Sequence, residues 1–247
     1  MSVEFLHSQE PKEILPLRFD AITISGNIAT GKTTATRELA EFLGIKLFLG
    51  GELFRQVQES KGKQVLGYAP RGVEEDVALN RKIAEAIHST IHMRGKKSIV
   101  EAKLAGFIAK KDEVDAKKKG KPYPKVVRIL LTASPEERVR RGLTREKEQN
   151  SKITAEQLER KQDERSRKDL AAWRKAEPDL IGIDPMDPKA KYEGEEIYDI
   201  VINTDNFSQH GTVVEIIKQL EEKKLIEVKE EKRTTDFSSH GTIFPKN

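Results

Sequence analysis

Gly26-Asn27-Ile28-Ala29-Thr30-Gly31-Lys32-Thr33 is the stretch on which the fold turns. It follows the pattern G-x-x-x-x-G-K-[ST], in which glycines let the backbone wrap tightly enough for successive N–H groups to face inward on phosphate oxygens. Residues 21–25, just before it, form a short β-favouring run and read as a buried strand. Just after it, residues 33–43 place Leu39, Phe42 and Leu43 on one helical face, and Gly44 falls at a C-cap position. Strand, glycine turn and helix in that order aim the positive end of the helix at the turn. The expected ATP-phosphate cradle is therefore Gly26, Asn27, Ile28, Ala29, Thr30, Gly31, Lys32, Thr33 and Thr34. Lys32 would reach the β- and γ-phosphates, and the Thr33 hydroxyl would coordinate Mg2+. A glycine turn that binds nothing is the competing reading, and the strand before it and helix after it argue against that.

Outward from this loop, the chain alternates. Residues 45–49, 97–101, 126–131 and 198–203 read as further strands, and residues 73–93 as a long helix. Ser134-Pro135-Glu136-Glu137 and Thr154-Ala155-Glu156-Gln157 carry helix-start chemistry, and the second helix should run to about Ala176, ahead of Pro178. Residues 212–220 close the pattern as a helix. The expectation is an α/β fold: a five-stranded, mostly parallel sheet with helices on both faces and an arginine-rich helical lid over 135–178. The domain is expected at 20–220, with a 1–19 extension and a charged, flexible tail at 221–247. Charge together with Gly120, Pro122 and Pro124 makes 110–125 read as a basic insertion loop. Phe207-Ser208-Gln209-His210-Gly211-Thr212 is nearly repeated at 237–242, an echo too short to be an architectural repeat.

Composition narrows the function classes. The net charge of +4 is too small by itself to argue for nucleic acid, although Lys117-Lys118-Lys119-Gly120-Lys121 is a local basic patch that could contact it. Without cysteine there is no disulfide and no thiolate metal site. No apolar run approaches the ~18 residues a membrane helix needs, and the N-terminus lacks the apolar core of a secretory signal. A cytoplasmic monomer is the expectation.

In an open parallel sheet, ligands sit beyond the carboxyl ends of the strands. Those positions offer Glu52 and Arg55 after the second strand, and Glu101 and Lys103 after the third. Arg55 and Lys103 could hold an acceptor phosphate, and Glu101 could act near Mg2+. Arg160, Glu164 and Arg167 share a helical face at spacings of four and three, as do Arg138, Arg141 and Arg145. With the polar stretch 146–151, the second set looks like a mobile lid, with Arg141 and Arg145 joining Lys32 in catalysis. The bland readings are solvated surface for the lysine and arginine, and an exposed ion-pair ladder for Arg160, Glu164 and Arg167. No Asn-Lys-x-Asp run follows the loop, which argues against a GTPase.

Four segments together resemble the cytidylate kinase family, especially its compact archaeal-type members. They are the 26–34 loop, Gly50-Gly51-Glu52-Leu53-Phe54-Arg55, Glu101-Ala102-Lys103-Leu104-Ala105-Gly106-Phe107, and Tyr198-Asp199-Ile200-Val201-Ile202-Asn203-Thr204. The resemblance spans roughly residues 20–220. It implies ATP with Mg2+ as donor, a nucleoside monophosphate (CMP or dCMP) as acceptor, and acceptor contacts from Glu52, Phe54 and Arg55. It also implies a phosphate grip at Lys103, where relatives often carry arginine, and ribose and base contacts at Arg160, Glu164 and Arg167, where the middle residue is usually aspartate. Kinases of shikimate-like or gluconate-like acceptors, and a nucleotide-dependent binding protein, remain the alternatives.

Overall fold

The computed structural model describes residues 16–60, 73–148 and 152–228. In chain order the elements are β1 (Ala21–Gly26), α1 (Lys32–Leu43), β2 (Lys46–Leu49), α2 (Gly50–Ser60), α3 (Val73–Ile91), β3 (Ser98–Glu101), α4 (Ala105–Lys118), β4 (Val126–Thr132), α5 (Pro135–Glu148), α6 (Ala155–Ala176), β5 (Lys191–Tyr192), β6 (Glu195–Glu196), β7 (Ile200–Asn203) and α7 (Gln209–Glu222). Five strands form one sheet in the order β2-β3-β1-β4-β7, and each pairing is parallel. The expected fold is present, and its carboxyl edge brings Gly26, Leu49 and Glu101 to the same end of the sheet.

Strand alternation divides the core in two. Ala21, Val100 and Leu130 face one cluster, covered by α3, α4 and Trp173 and Ala176 of α6. Ile22, Ile24, Ile99, Ile129 and Leu131 face the other, covered by α1 and α7. Because both faces are covered, β1 is buried along its whole length. The cap chemistry reads through: Ser134 Oγ accepts the Glu137 N–H, Thr154 and Gln157 form a reciprocal box, and Gly44 ends α1 at φ 66°.

The structure corrects the sequence expectation in four places. Residues 110–118 are helical, the second half of α4, and only the glycine and prolines lie beyond it. Phe107, Ile108 and Val114 bury the face of α4 turned to the core. Its lysines are answered from far along the chain: Lys110 by Glu195 at 2.6 Å and Lys111 by Glu177 at 2.7 Å. Those partners lie 85 and 66 residues away, so a local reading saw only charge.

The domain also reaches past both expected boundaries. Phe19 is buried before residue 20, and Leu225, Ile226 and Val228 are buried after residue 220 in the same cluster. Arg18 N–H donates to the Leu225 carbonyl at 2.8 Å, tying the two ends together. The echo at 237–242, like the rest of the expected tail beyond residue 228, lies outside the described residues. Its first copy supplies Ser208 as the N-cap of α7.

Helix α2 follows β2 directly, beginning at the glycine pair that reads as a strand stop. Leu53, Phe54 and Val57 pack its apolar stripe against the first cluster. Finally, β5 and β6 make a small antiparallel hairpin. Its turn holds Glu193 and Gly194 at φ 50° and 81°, a conformation that suits two-residue hairpin loops.

Candidate active site

One cavity of about 420 Å3 opens at the carboxyl edge of the sheet. Its floor is the 26–34 loop, with Gly26, Ile28, Ala29, Gly31, Lys32, Thr33 and Thr34 lining it. Asn27 stands behind as a brace: its carbonyl accepts the Lys32 ammonium at 2.7 Å and the Thr30 hydroxyl at 3.0 Å. Burial pushes the Lys32 ammonium down to about 8. Glu101 pulls it back, and Lys103, Arg165 and Arg145 push it further down. Burial and neighbouring cations that depress a lysine make a cavity whose electrostatics favour an anionic ligand such as a polyphosphate.

Ala29 is the strained member of the loop, at φ 62° without being glycine. A left-handed L-residue costs roughly 1–2 kcal/mol. Ala29→Gly should remove that strain, less the ~0.5–1 kcal/mol of extra unfolded-state freedom that glycine brings. The expected result is a gain of about 0.5–1 kcal/mol, read as a melting temperature raised by a few degrees. A drop in melting temperature would refute the strain reading.

Thr33 Oγ1 donates to Glu101 Oε2 at 3.2 Å across the floor. A hydroxyl from the start of α1 and a buried carboxylate from the end of β3 thus stand together. They are hard oxygen donors of the kind Mg2+ takes beside phosphate oxygens and water. Among the described residues no group of three or more His, Cys, Asp or Glu side chains could hold a metal ion.

The opposite wall combines α2, the turn after β3, and α6. Glu52, Phe54 and Arg55 line it, the Glu52 carboxylate being held by Arg37 of α1. Lys103 lines it too, 3.4 Å from Asp169 of α6. Burial pushes the Lys103 ammonium down, Asp169 restores part of the loss, and Arg165 opposes it.

Helix α6 enters the site on a different face from the one expected. Arg160, Glu164 and Arg167 are exposed, and Glu164 bonds Lys168 at 2.7 Å, which is the solvated ion-pair ladder. The cavity is met instead by Arg165, Asp169, Ala172 and Trp173. The same four-then-three spacing recurs there, shifted by five residues. The signal that separates the two faces is the apolar phase of the helix. Leu158, Gln162, Ala172, Trp173 and Ala176 are buried, and positions 165 and 169 continue their stripe.

The arginines of α5 also separate. Arg145 lines the cavity and acts electrostatically on Lys32. Arg141 lies outside it: its guanidinium bonds Glu137, Thr204 Oγ1 and the Thr204 carbonyl at 2.8 Å each, and reaches the Ala29 carbonyl at 3.4 Å. It braces the loop from behind. Arg138 presents its backbone carbonyl to Gln162 of α6 at 3.2 Å. The lid stretch 149–151 lies outside the described residues. The lysines at 117 and 118 do not line this cavity and are paired with Glu195 and Glu193 of the hairpin, so that patch is partly neutralised. Among the described residues no helix is long and apolar enough to cross a membrane.

Comparison with known proteins agrees with this geometry. Residues 26–159, more than half of the chain, match the family described as an AAA domain. The cytidylate kinase of Methanosarcina barkeri is 30% identical over 200 residues, covering 80% of this chain and 93% of the relative. That of Archaeoglobus fulgidus is 28% identical over 204 residues, covering 83% and 96%. Among solved structures, a shikimate kinase from Acinetobacter baumannii in complex with shikimate superposes with a TM-score of 0.50 at 14% identity, covering 84% of this chain and 96% of that one, a likeness of fold. With loop, sheet order and sequence relatives in accord, the chain belongs to the cytidylate kinase family of nucleoside monophosphate kinases.

Proposed function

We propose that the protein transfers the γ-phosphoryl group of ATP to CMP or dCMP. An oxygen of the acceptor phosphate bonds to the γ-phosphorus, the bond to the β–γ bridging oxygen breaks, and ADP leaves with that electron pair. The supporting observation is a single cavity with the phosphate loop at one end and a cationic, partly aromatic wall at the other. Such a reaction needs little covalent help from protein groups; alignment and charge stabilisation carry it.

The residues divide by position. Loop N–H groups and Lys32 hold the donor phosphates, Lys32 exchanging the Asn27 carbonyl for phosphate oxygen. Thr33 and Glu101 are the residues that would hold Mg2+, which would supply charge neutralisation at the donor phosphates. Arg145 faces the charge that develops during transfer, and Arg141 keeps the loop in place. Lys103, a point charge, and Arg165, a planar fork, grip the acceptor phosphate, with Arg55 and Phe54 beside the nucleotide. Where relatives often carry arginine, Lys103 would share this grip with Arg165 of α6.

Coupled ADP release measured with CMP, dCMP, UMP, AMP, shikimate and gluconate tests this reading. The expected order has CMP or dCMP highest in kcat/KM and no turnover of the two non-nucleotides. Turnover of shikimate or gluconate with none of the monophosphates would overturn it.

A further inference from the structure

Asn80 is a buried polar residue with no task in the reaction described so far. It lies in the N-terminal half of α3, 6% exposed, and lines the cavity. Among the described residues its carboxamide has no hydrogen-bond partner. Its amide atoms are not among those sealed from water without a partner, so they open onto the cavity, and asparagine is a poor helix former. Helix stability does not account for an asparagine here, whereas a ligand in the cavity would meet its donor and acceptor.

Its surroundings indicate which part of the ligand. Ile83, one turn on, lies 3.5 Å from where a side chain on Gly50 would begin, which sets this stretch of α3 against the start of α2. The same cavity is lined by Phe54 and Trp173, flat apolar surfaces suited to a heterocyclic ring. A carboxamide presents a donor and an acceptor side by side, and the N3/N4 edge of cytosine presents an acceptor and a donor.

We propose that Asn80 is a specificity-determining residue that reads the hydrogen-bonding edge of the acceptor's base. This rests on the nucleotide-acceptor reading above. The base would slot between the apolar walls with its edge on Asn80, leaving its phosphate toward Lys103 and Arg165.

The test is a chemical double-mutant cycle. Initial rates at saturating ATP give kcat/KM for CMP and for the 5′-monophosphate of 2-pyrimidinone riboside, which lacks the N4 amino group. They are measured for the wild type, Asn80→Ala and Asn80→Leu. The wild type should prefer CMP by about tenfold or more, the discrimination a good paired contact supplies. Both variants should bring that ratio near one with the KM for ATP unchanged. Asn80→Leu should melt near or above the wild-type temperature, because an apolar group of similar size and higher helix propensity replaces an amide bonded to no other group. Retention of the full CMP preference in both variants overturns the proposal. So does an equal loss against both acceptors with a lowered melting temperature, since that is a structural role. If the wild type turns over neither ribotide, the nucleotide reading itself has failed, a result distinguishable from the other two.

Discussion

Replacing Lys32 by alanine is expected to lower kcat for phosphoryl transfer by about 10^3-fold, the scale on which removal of a preorganised charge stabiliser acts. The fold should survive. Lys32 is half-buried, its ammonium is depressed to about 8 by desolvation, and Lys103, Arg165 and Arg145 oppose its charge while Glu101 supports it. Removing a desolvated cation from that setting relieves repulsion, so the melting temperature of Lys32→Ala should not fall. Activity retained within tenfold would remove Lys32 from the mechanism.

The same shift sets a pH dependence. In the free enzyme the protonated fraction of Lys32 falls as pH rises through about 8, so kcat/KM for ATP should decline above that pH. Stability moves in the opposite sense. Between about 8 and the ordinary lysine value of 10.5, the unfolded chain holds more protons at this position than the folded one. By linkage, this group makes the fold more stable as pH rises across that window. Urea midpoints for the wild type and Lys32→Ala at pH 7.5 and 9.5 would isolate the effect, the rise being absent from the variant.

The second large effect concerns Gly26, where β1 ends and the loop begins. Its φ is 151°, and a Cβ there would lie 2.3 Å from the Leu131 carbonyl oxygen and 2.9 Å from Thr30 Oγ1. The first contact is with backbone of the adjacent strand, in register with Gly26 across the sheet, so rotating a side chain cannot relieve it. Gly26→Ala should therefore pry β4 from β1 at the mouth of the site. The expected loss is about 3 kcal/mol or more, from overpacking together with backbone strain. In a domain of this size that lowers the melting temperature by roughly 6–12 °C. Affinity for ATP should fall with it, because the loop hangs from that strand end. A variant with wild-type melting and ATP binding would show that β1 and β4 do not approach this closely.

The fold was legible because its signals are local. The 26–33 glycine pattern, the alternating runs of β1, β3 and β4, and the Ser134 and Thr154 caps each state their structure within a few residues. Helix α4 was not legible in its second half, because Lys110 and Lys111 are neutralised by Glu195 and Glu177, residues on segments that meet them only after folding. Residues 225–228 read as tail for the same reason: their apolar side chains have value only against Phe19 and the α7 face of the sheet.

The donor half of the proposed site was contained in the sequence, since one contiguous loop offers the backbone amides, the lysine and the hydroxyl. The lining of the proposed acceptor half was decided by tertiary structure. Spacing alone offers two arginine–carboxylate sets on α6, and nothing within a charged helix says which one faces inward. Packing against α3 and α5 turns Arg165 and Asp169 to the cavity and leaves Arg160, Glu164 and Arg167 in water. Asn80 became visible only when α3 enclosed it, because a lone asparagine in a helix carries no signal until its surroundings deprive it of partners.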